Sequence, residues 1–550
     1  MREIGRRIFN LIFVFTAFAT VILFPACSDA DKPKTDNDLI VSKTEYASGE
    51  EIVLTAIGGD DDWVGVYREK DDVNALEPIA SYPVNDKGYL SGLSYVVQRS
   101  ATFSENRKAL KNFPSVKYKA VLFGSEGTSE ILSVKNFSVS SNALTVPSAP
   151  TSLVYEQTSP DSGLADGVLT VTFDPSNFNA TELLLFWADE NGELQNWTSL
   201  AKAKISSNPY RYEFVKGTII PQEATAVRAY AVNKAGISES FCELKLNENA
   251  GYDLSGTTLT SFQVVSDVHV AVKDQHLASA DAKELHANHL RSMAEDVVAT
   301  CPDGDALIVV GDVANSGQES EWIKNADILG GVAGLPSVYY AVGNHDLYNG
   351  SYDKQIGYFK MYAKVDSVYY EKEISGFHHF FLGSESNNKS GVDADLSETQ
   401  LEWLESRLES VTKQDANKPI FLYLHQSLYN TVAGSFKGQG WNGVMQDERL
   451  RTILKKYPQV YMFNGHSHWE LNSYGNAHLA DADLPNVFNT ASVGYLWSSY
   501  DNPTGEYLKG SQGHFVRVYR NKVVVLGRDF ENGKYIPSAC YETKIYSAKN

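Results

Sequence analysis

Five short apolar runs in the second half of this chain each end in a cluster of Asp, Asn or His, and no other feature limits the fold as tightly. Phe262–Val265 leads into Ser266, Asp267, Val268 and His269, and Ala306–Val310 into Gly311 and Asp312, with Gly317 closing the loop. Val338–Val342 leads into Gly343, Asn344, His345 and Asp346, and Ile420–Leu424 into His425. Val460–Phe463 leads into Asn464, Gly465, His466, Ser467 and His468. Such runs read as strands buried on both faces. Between them, stretches such as Asp281–Thr300 repeat apolar residues at helical spacing (Leu285, His289, Met293, Val297). Strands alternating with helices make an α/β layer, and its ligands gather outside the carboxyl ends of the strands. The five clusters are therefore expected to meet in space.

Together, Asp267, His269, Asp312, Asn344, His425, His466 and His468 offer only oxygen and nitrogen donors. That set suits two divalent cations of the Mn, Fe, Zn or Co type, and the lack of a thiolate argues against a closed structural zinc site. A carboxylate shared by two cations can hold them about 3.5–4 Å apart, the spacing that clamps an in-line displacement at phosphorus. A single strand-end Asp or His is usually a turn former, and one Gly-Asn-His-Asp run carries little weight. Five clusters in order, each behind a strand, are not an accident of composition.

The ordered set D-x-H, G-D, G-N-H-D, H and G-H-x-H resembles the calcineurin-like metallophosphoesterases over about Thr258–Asn550. The resemblance implies a four-layer αββα domain with a two-metal centre that activates water. In it Asp267, His269 and His468 would hold one metal, Asn344, His425 and His466 the other, and Asp312 would bridge them. His345 would stabilise the transition state or protonate the leaving oxygen, with Asp346 orienting its ring. Purple acid phosphatases have Gly and a metal-binding Tyr where this chain has His269 and Asn315, so a tyrosinate–iron site is not expected. Too few residues follow His468 for the C-terminal domain of secreted 5′-nucleotidases. The pattern is nearest to the cyclic-nucleotide-phosphodiesterase and sphingomyelinase-like branches, which favours phosphodiesters. A phosphomonoesterase or acid phosphatase of the same fold is the alternative, and a surface binding lipoprotein with a vestigial catalytic domain is another.

Ahead of this region the chain reads as two all-β sandwich modules. Over 38–146, short runs such as Trp63–Tyr67 and Tyr118–Phe123 lie between turn residues, a pattern resembling immunoglobulin-like domains. Over 147–250, the run Ala226–Gly236 resembles the last hairpin of fibronectin type III domains, with Thr225 in place of the usual tyrosine. The α/β phosphoesterase domain is expected over 257–550. The modules carry no chemical cluster and read as spacers, or as contacts for a glycan or protein. For Trp63, core packing is the stronger reading.

Arg2, Arg6 and Arg7 precede an apolar run to Phe24, and Ala26-Cys27 then resembles a bacterial lipobox. Residues 1–26 are expected to be a lipoprotein signal peptide, Cys27 the lipidated residue and 27–37 a tether. The protein would be exported and anchored to a membrane, on the periplasmic or cell-surface face of an outer membrane. Cys242, Cys301 and Cys540 read as packing residues, with room for one bridge at most. With 48 Lys and Arg against 68 Asp and Glu, the formal charge of −20 repels polyanions, so duplex nucleic acid is not expected as a partner. A phosphate ester must then be drawn in by local positive charge. His286, His289, His378 and His379 read as surface or core residues, and His276, His478 and His514 as loop residues. Ser435–Val444 is either a substrate-facing loop carrying Lys437 and Trp441 or an ordinary turn.

Overall fold

The computed structural model describes residues 38–545 except 42, 49–53, 58–61, 76–77, 79, 84–94, 97–115, 125–129, 144–145, 159–162, 234–235, 248–249, 273–281, 387–391, 442 and 499–505. The expected signal peptide, Cys27, the tether and His276 lie outside the described residues. Among the described residues, no helix is long and apolar enough to cross a membrane. The chain falls into two compact units, dividing between Ala143 and Leu144.

The first unit is strand-rich. One sheet joins Asp38–Val41, Leu54–Ile57 and Tyr95–Val96, and another joins Glu45–Ser48, Ile131–Ala143, Val116–Phe123, Trp63–Arg68 and Ala80–Pro83. Leu39, Leu54, Val64, Tyr118 and Leu122 share one apolar core. Trp63 stacks on buried Phe123 at 4.3 Å between ring centroids, so packing occupies this Trp.

The second unit carries the five polar clusters. From Thr260 on, it runs β1 (Thr260–Val265), α1 (Ala282–Thr300), β2 (Ala306–Val310), α2 (Glu319–Gly330), β3 (Val338–Ala341) and α3 (Tyr352–Ala363). Then come β4 (Tyr370–Ile374), β5 (Phe377–Phe381), α4 (Glu398–Gln414), β6 (Ile420–Tyr423), α5 (Asp447–Leu454) and β7 (Val460–Asn464). The rest is β8 (Ala477–His478), β9 (Asn486–Asn489), β10 (Leu496–Ser498), β11 (Glu506–Leu508), β12 (Gln512–Val518), β13 (Lys522–Asp529) and β14 (Lys534–Lys544).

Two six-stranded sheets result, ordered β3-β2-β1-β12-β13-β14 and β4-β5-β6-β7-β9-β8. The cluster-bearing strands are parallel within each sheet: β1, β2 and β3 in the first, β6 and β7 in the second. Successive strand residues point to opposite faces, so β1 sends Phe262 and Val264 to one core and Val265 to another. The inward set meets Phe421, Tyr423 and Phe463 of the second sheet. Outside the first sheet lie Met293 of α1, Trp322 of α2 and Phe359 of α3, and outside the second lie Leu404 of α4 and Leu450 of α5. The layers run helix, sheet, sheet, helix. Each fully buried Val, Leu or Phe contributes about 1.5–3 kcal/mol, and these cores hold the cluster-bearing loops in place.

Strand-rich residues 147–250 belong to this same compact unit. Ser152–Gln157, Gly167–Thr172 and Tyr210–Phe214 form one sheet, and a second is built around Glu182–Asp189 and Ala226–Asn233. They dock along β14, the edge of the first sheet. The amides of Thr198 and Ile219 donate to the carbonyls of Tyr535 and Cys540 at 2.9 and 3.1 Å, and the amides of Tyr535 and Glu542 donate to those of Asn196 and Gly217 at 2.8 and 2.9 Å. Unpaired groups that an edge strand would otherwise expose are thereby satisfied.

Candidate metal centre

The seven predicted donors converge where the carboxyl ends of both sheets meet. This is a refinement of the sequence reading, since the five strands split three and two between facing sheets. The turns that deliver the donors are unusual. Asp267, His269, Asp312, His466 and His468 all have positive φ, between 50° and 70°, where a residue with a Cβ costs about 1–3 kcal/mol. Cross-links between loops hold them there. The amides of Asp267 and His269 donate to the carbonyls of Gly311 and Asp312, and the amides of Val493 and Gly494 donate to the carbonyls of Ser266 and Asp267. The glycines permit the crowding: a Cβ on Gly343 would stand 2.1 Å from Asp312 Oδ1, and one on Gly465 2.4 Å from Asp267 Oδ2.

Asp267, His269, Asp312 and His468 form one group of mutually close donor atoms, and Asp312, His425 and His466 another, so Asp312 belongs to both. Asp267 Oδ1 lies 2.9 Å from His468 Nε2 and 3.8 Å from His269 Nε2, and the two Nε2 atoms are 3.1 Å apart. Asp312 Oδ2 lies 3.1 Å from His425 Nε2 and 3.6 Å from His269 Nε2. Asn344 Oδ1 is 2.9 Å from His466 Nδ1, which brings the seventh donor into the cluster. All seven residues are buried.

Backbone carbonyls fix the tautomers of two rings. His425 Nδ1 sits 2.7 Å from Val310 O and His468 Nδ1 3.0 Å from Tyr495 O; a carbonyl only accepts, so each Nδ1 carries its hydrogen. Each Nε2 then turns a lone pair toward the carboxylates, unless it takes up a second proton. Burial works against charge on His425, yet Asp312 and Asp267 outweigh it and push its pKa up to about 10. Burial also opposes ionisation of Asp267, but His468 and His425 hold its carboxyl well below the usual range. Burial and His345 push His269 down to about 3, and burial and His425 do the same for His466. The cluster therefore wants added positive charge at its centre while two of its imidazoles resist a proton. Divalent cations meet both conditions, and the donor set fits them.

His345 stands beside this cluster. Its Nδ1 donates to Asn315 O at 2.8 Å, and its ring lies 4.5 Å from that of His269 and 4.2 Å from that of Tyr348. Asp346 does not orient that ring, which corrects the sequence reading. Its Oδ1 accepts the Ala314 amide at 2.8 Å and its Oδ2 the Gly343 amide at 2.9 Å, tying two donor loops together. In the short 3₁₀ turn His345–Leu347, consecutive side chains splay apart and cannot face one another.

Several neighbours were not singled out from the sequence. His286 Nδ1 donates to His269 O at 2.8 Å and His289 Nδ1 to Gly494 O at 2.9 Å, so α1 supports the Asp267–His269 turn from behind. The buried face of α1 is His286, His289, Leu290, Met293 and Val297, whereas the expected stripe began at Leu285. Tyr348 Oη accepts from Asn344 Nδ2 at 3.3 Å, and Tyr495 lies against His468 at 4.2 Å. These tyrosines sit in loops, where spacing gives no signal. His478 lies in β8 and His514 in β12, buried with its Nε2 on Asn489 O, so neither is a loop residue. His378 and His379 do lie on a strand, β5. Cys242, Cys301 and Cys540 are all free thiols, and no bridge forms among them.

The two-sheet fold forms an α/β domain whose buried Asp/His donors could hold divalent metal. The family model for calcineurin-like phosphoesterases matches residues 261–470, and this part of the chain is a calcineurin-like phosphoesterase domain. No curated protein matches the chain. Among solved structures, a purple acid phosphatase from yellow lupin (Lupinus luteus) is 15% identical, covering 93% of this chain and 96% of its own, with a TM-score of 0.38. A calcineurin-like phosphoesterase from Bacillus subtilis is 13% identical, covering 52% and 90%, with a TM-score of 0.28. A 5′-nucleotidase precursor from Thermus thermophilus is 14% identical, covering 52% and 54%, with a TM-score of 0.27.

Proposed function

We propose that the chain hydrolyses phosphate esters, phosphodiesters in preference to monoesters, at a centre holding two divalent metal ions. The observation that carries this reading is the convergence of seven O/N donors from five strand ends, with Asp312 common to both groups. Asp267, His269 and His468 would hold one ion, Asn344, His425 and His466 the other, with Asp312 between them. Bound there, such cations supply the positive charge that draws in a phosphate and lowers the pKa of water. The chain's own groups do the rest. His345, its Nδ1 hydrogen held by Asn315 O, would give the departing alkoxide a proton from Nε2 when the ring is doubly protonated. Tyr348, whose oxygen accepts from Asn344, has its own hydrogen left to offer a phosphoryl oxygen. The diester preference rests on motif resemblance.

The stretch 38–146 is read as an immunoglobulin-like sandwich, and 147–250 as a fibronectin type III-like one holding the catalytic domain of 257–550. Export and anchoring through Cys27 complete the reading, on the strength of the basic head, the apolar run and Ala26-Cys27. Mass spectrometry of the protein purified from membranes tests the anchor: a diacylated Cys27 supports it, and an unmodified residue removes it. For the chemistry, metal-free protein reconstituted with Mn, Zn, Fe or Co is assayed on bis-p-nitrophenyl phosphate and p-nitrophenyl phosphate. Metal-dependent turnover supports the reading, and the ratio of the two rates assigns the branch.

A further inference from the structure

Aromatic rings border the donor cluster in a continuous series. The Trp441 ring centroid lies 6.0 Å from that of His466 and 6.1 Å from those of both Trp469 and Trp497. Trp497 meets Tyr507 edge-on at 6.5 Å, Tyr507 stacks on Tyr495 at 5.4 Å, and Tyr495 lies 4.2 Å from His468. The series thus starts at one predicted ligand histidine and ends at another. Trp469 is fully buried and packs as core, but Trp441, Trp497 and Tyr495 are half-buried and Tyr507 is exposed.

The loop that carries Trp441 is packed at its start, where a Cβ on Gly434 would clash with Ser467, and open further on. Gly434, Gly438 and Gly440 have φ of 90°, 94° and 78°, and a Cβ on Gly438 or Gly440 would meet nothing within 4 Å. Hydrogen bonds set its course: the Trp441 amide donates to Gly434 O at 2.9 Å, and Gln439 Oε1 accepts the amides of Gly434 and Phe436 at 2.8 and 3.1 Å. A large ring is delivered to the donor cluster from the open part of this loop.

We infer that Trp441, Trp497 and Tyr507 form a stacking subsite for a planar aromatic group on the alcohol of the phosphate ester. The inference rests on the phosphoesterase reading above and adds the class of its substrate. Aromatic faces attract a flat ring in offset or edge-on geometry, and the short distance to His466 fits a group one ester bond from the phosphorus. Trp441 and Trp497 are inclined at 41° and Trp497 and Tyr507 at 90°, so a flat ring can meet one ring by its face and another by its edge, and choline phosphate in the test separates this from a cage for a quaternary ammonium.

The test compares benzyl phosphate with n-propyl phosphate, whose leaving alcohols are similar in acidity, and with choline phosphate, each as the monoester and as its methyl diester. Benzyl ester should be favoured by about tenfold in kcat/KM, a ratio that Trp441→Ala brings close to one and Trp441→Phe largely keeps. Equal rates for benzyl and propyl esters, a ratio that survives Trp441→Ala, or a preference for choline phosphate would overturn the inference. Binding of benzylphosphonate and propylphosphonate to the metal-loaded chain, followed by tryptophan fluorescence, separates the subsite from the chemistry. Tighter benzylphosphonate binding that depends on Trp441 supports the subsite even where no ester is hydrolysed, and equal binding overturns it even where both are.

Discussion

Asp312 binds His345 through its main chain: Oδ1 accepts the His345 amide at 2.8 Å while Oδ2 lies 3.1 Å from His425 Nε2. One carboxylate thus fixes the loop that carries the proposed acid and completes both donor groups. Asp312→Asn keeps the size and one acceptor but removes the charge. Metal content and turnover should both fall, turnover by more than the roughly 10–100-fold typical of outer-layer substitutions around a metal. Metal analysis beside the diesterase assay checks this, and full metal content in an inactive variant would mean that Asp312 is not a ligand.

His345→Gln should separate chemistry from metal binding. Loss of a positioned proton donor costs about 10²–10⁴-fold in rate, and the seven donors remain. The loss should be greatest for esters with poor leaving groups and small for nitrophenyl esters. A uniform loss across leaving groups would assign His345 to binding instead.

Asp346→Ala should act on stability. Two buried amides, of Ala314 and Gly343, lose their acceptor, and each unsatisfied donor costs about 1–3 kcal/mol. Urea unfolding should show a clear fall in midpoint, larger than that of His345→Gln. Equal midpoints for the two variants would contradict this role in tying the loops together.

Acid should destabilise the protein through two buried histidines that are not among the seven donors. Burial pushes His379 down to about 3 and His514 to about 4, so both are neutral in the fold and take up protons only when it opens. Their folded pKa values lie below the unfolded value near 6.5, so stability is full above that value and declines as pH falls toward the folded values. Each contributes a loss of about 2 kcal/mol between pH 6.5 and 5. His379→Phe should flatten that part of the stability–pH curve, and an unchanged slope would contradict the assignment.

Docking along β14 should also be testable. Gly217 has φ of 81°, and a Cβ there would stand 2.5 Å from Glu542 O. Gly217→Val should loosen the contact and make Tyr252, which hydrogen-bonds Glu542, easier to nitrate. Deletion of 147–250 should expose the β14 edge and lead to self-association in light scattering. A monodisperse, active remainder would show that the edge needs no cover.

Much of the metal centre was legible because each donor follows an apolar strand, and a parallel strand fixes where its last residue points. That His269, Asp312 and His468 meet in one cluster followed on that ground, while the part expected of each rested on the family resemblance. What surrounds them was not. Tyr495 and Tyr348 reach the site from loops without periodicity, and His286 shares its helical face with Leu290 and Met293, residues that mark a core and not a site. The role expected for Asp346 failed for a local reason, since adjacent residues of a 3₁₀ turn diverge. Nor does spacing along the chain show that five strands divide between two sheets, because cross-sheet contacts such as Phe262 with Phe421 leave no local trace.

Metal stoichiometry of the purified chain tests the central claim most directly. Elemental analysis after reconstitution and desalting should find two divalent ions per chain, falling toward one in His468→Ala and in His466→Ala and toward none in Asp312→Ala. Metal content near zero in the intact, folded protein, or a content that ignores all three substitutions, would contradict the account.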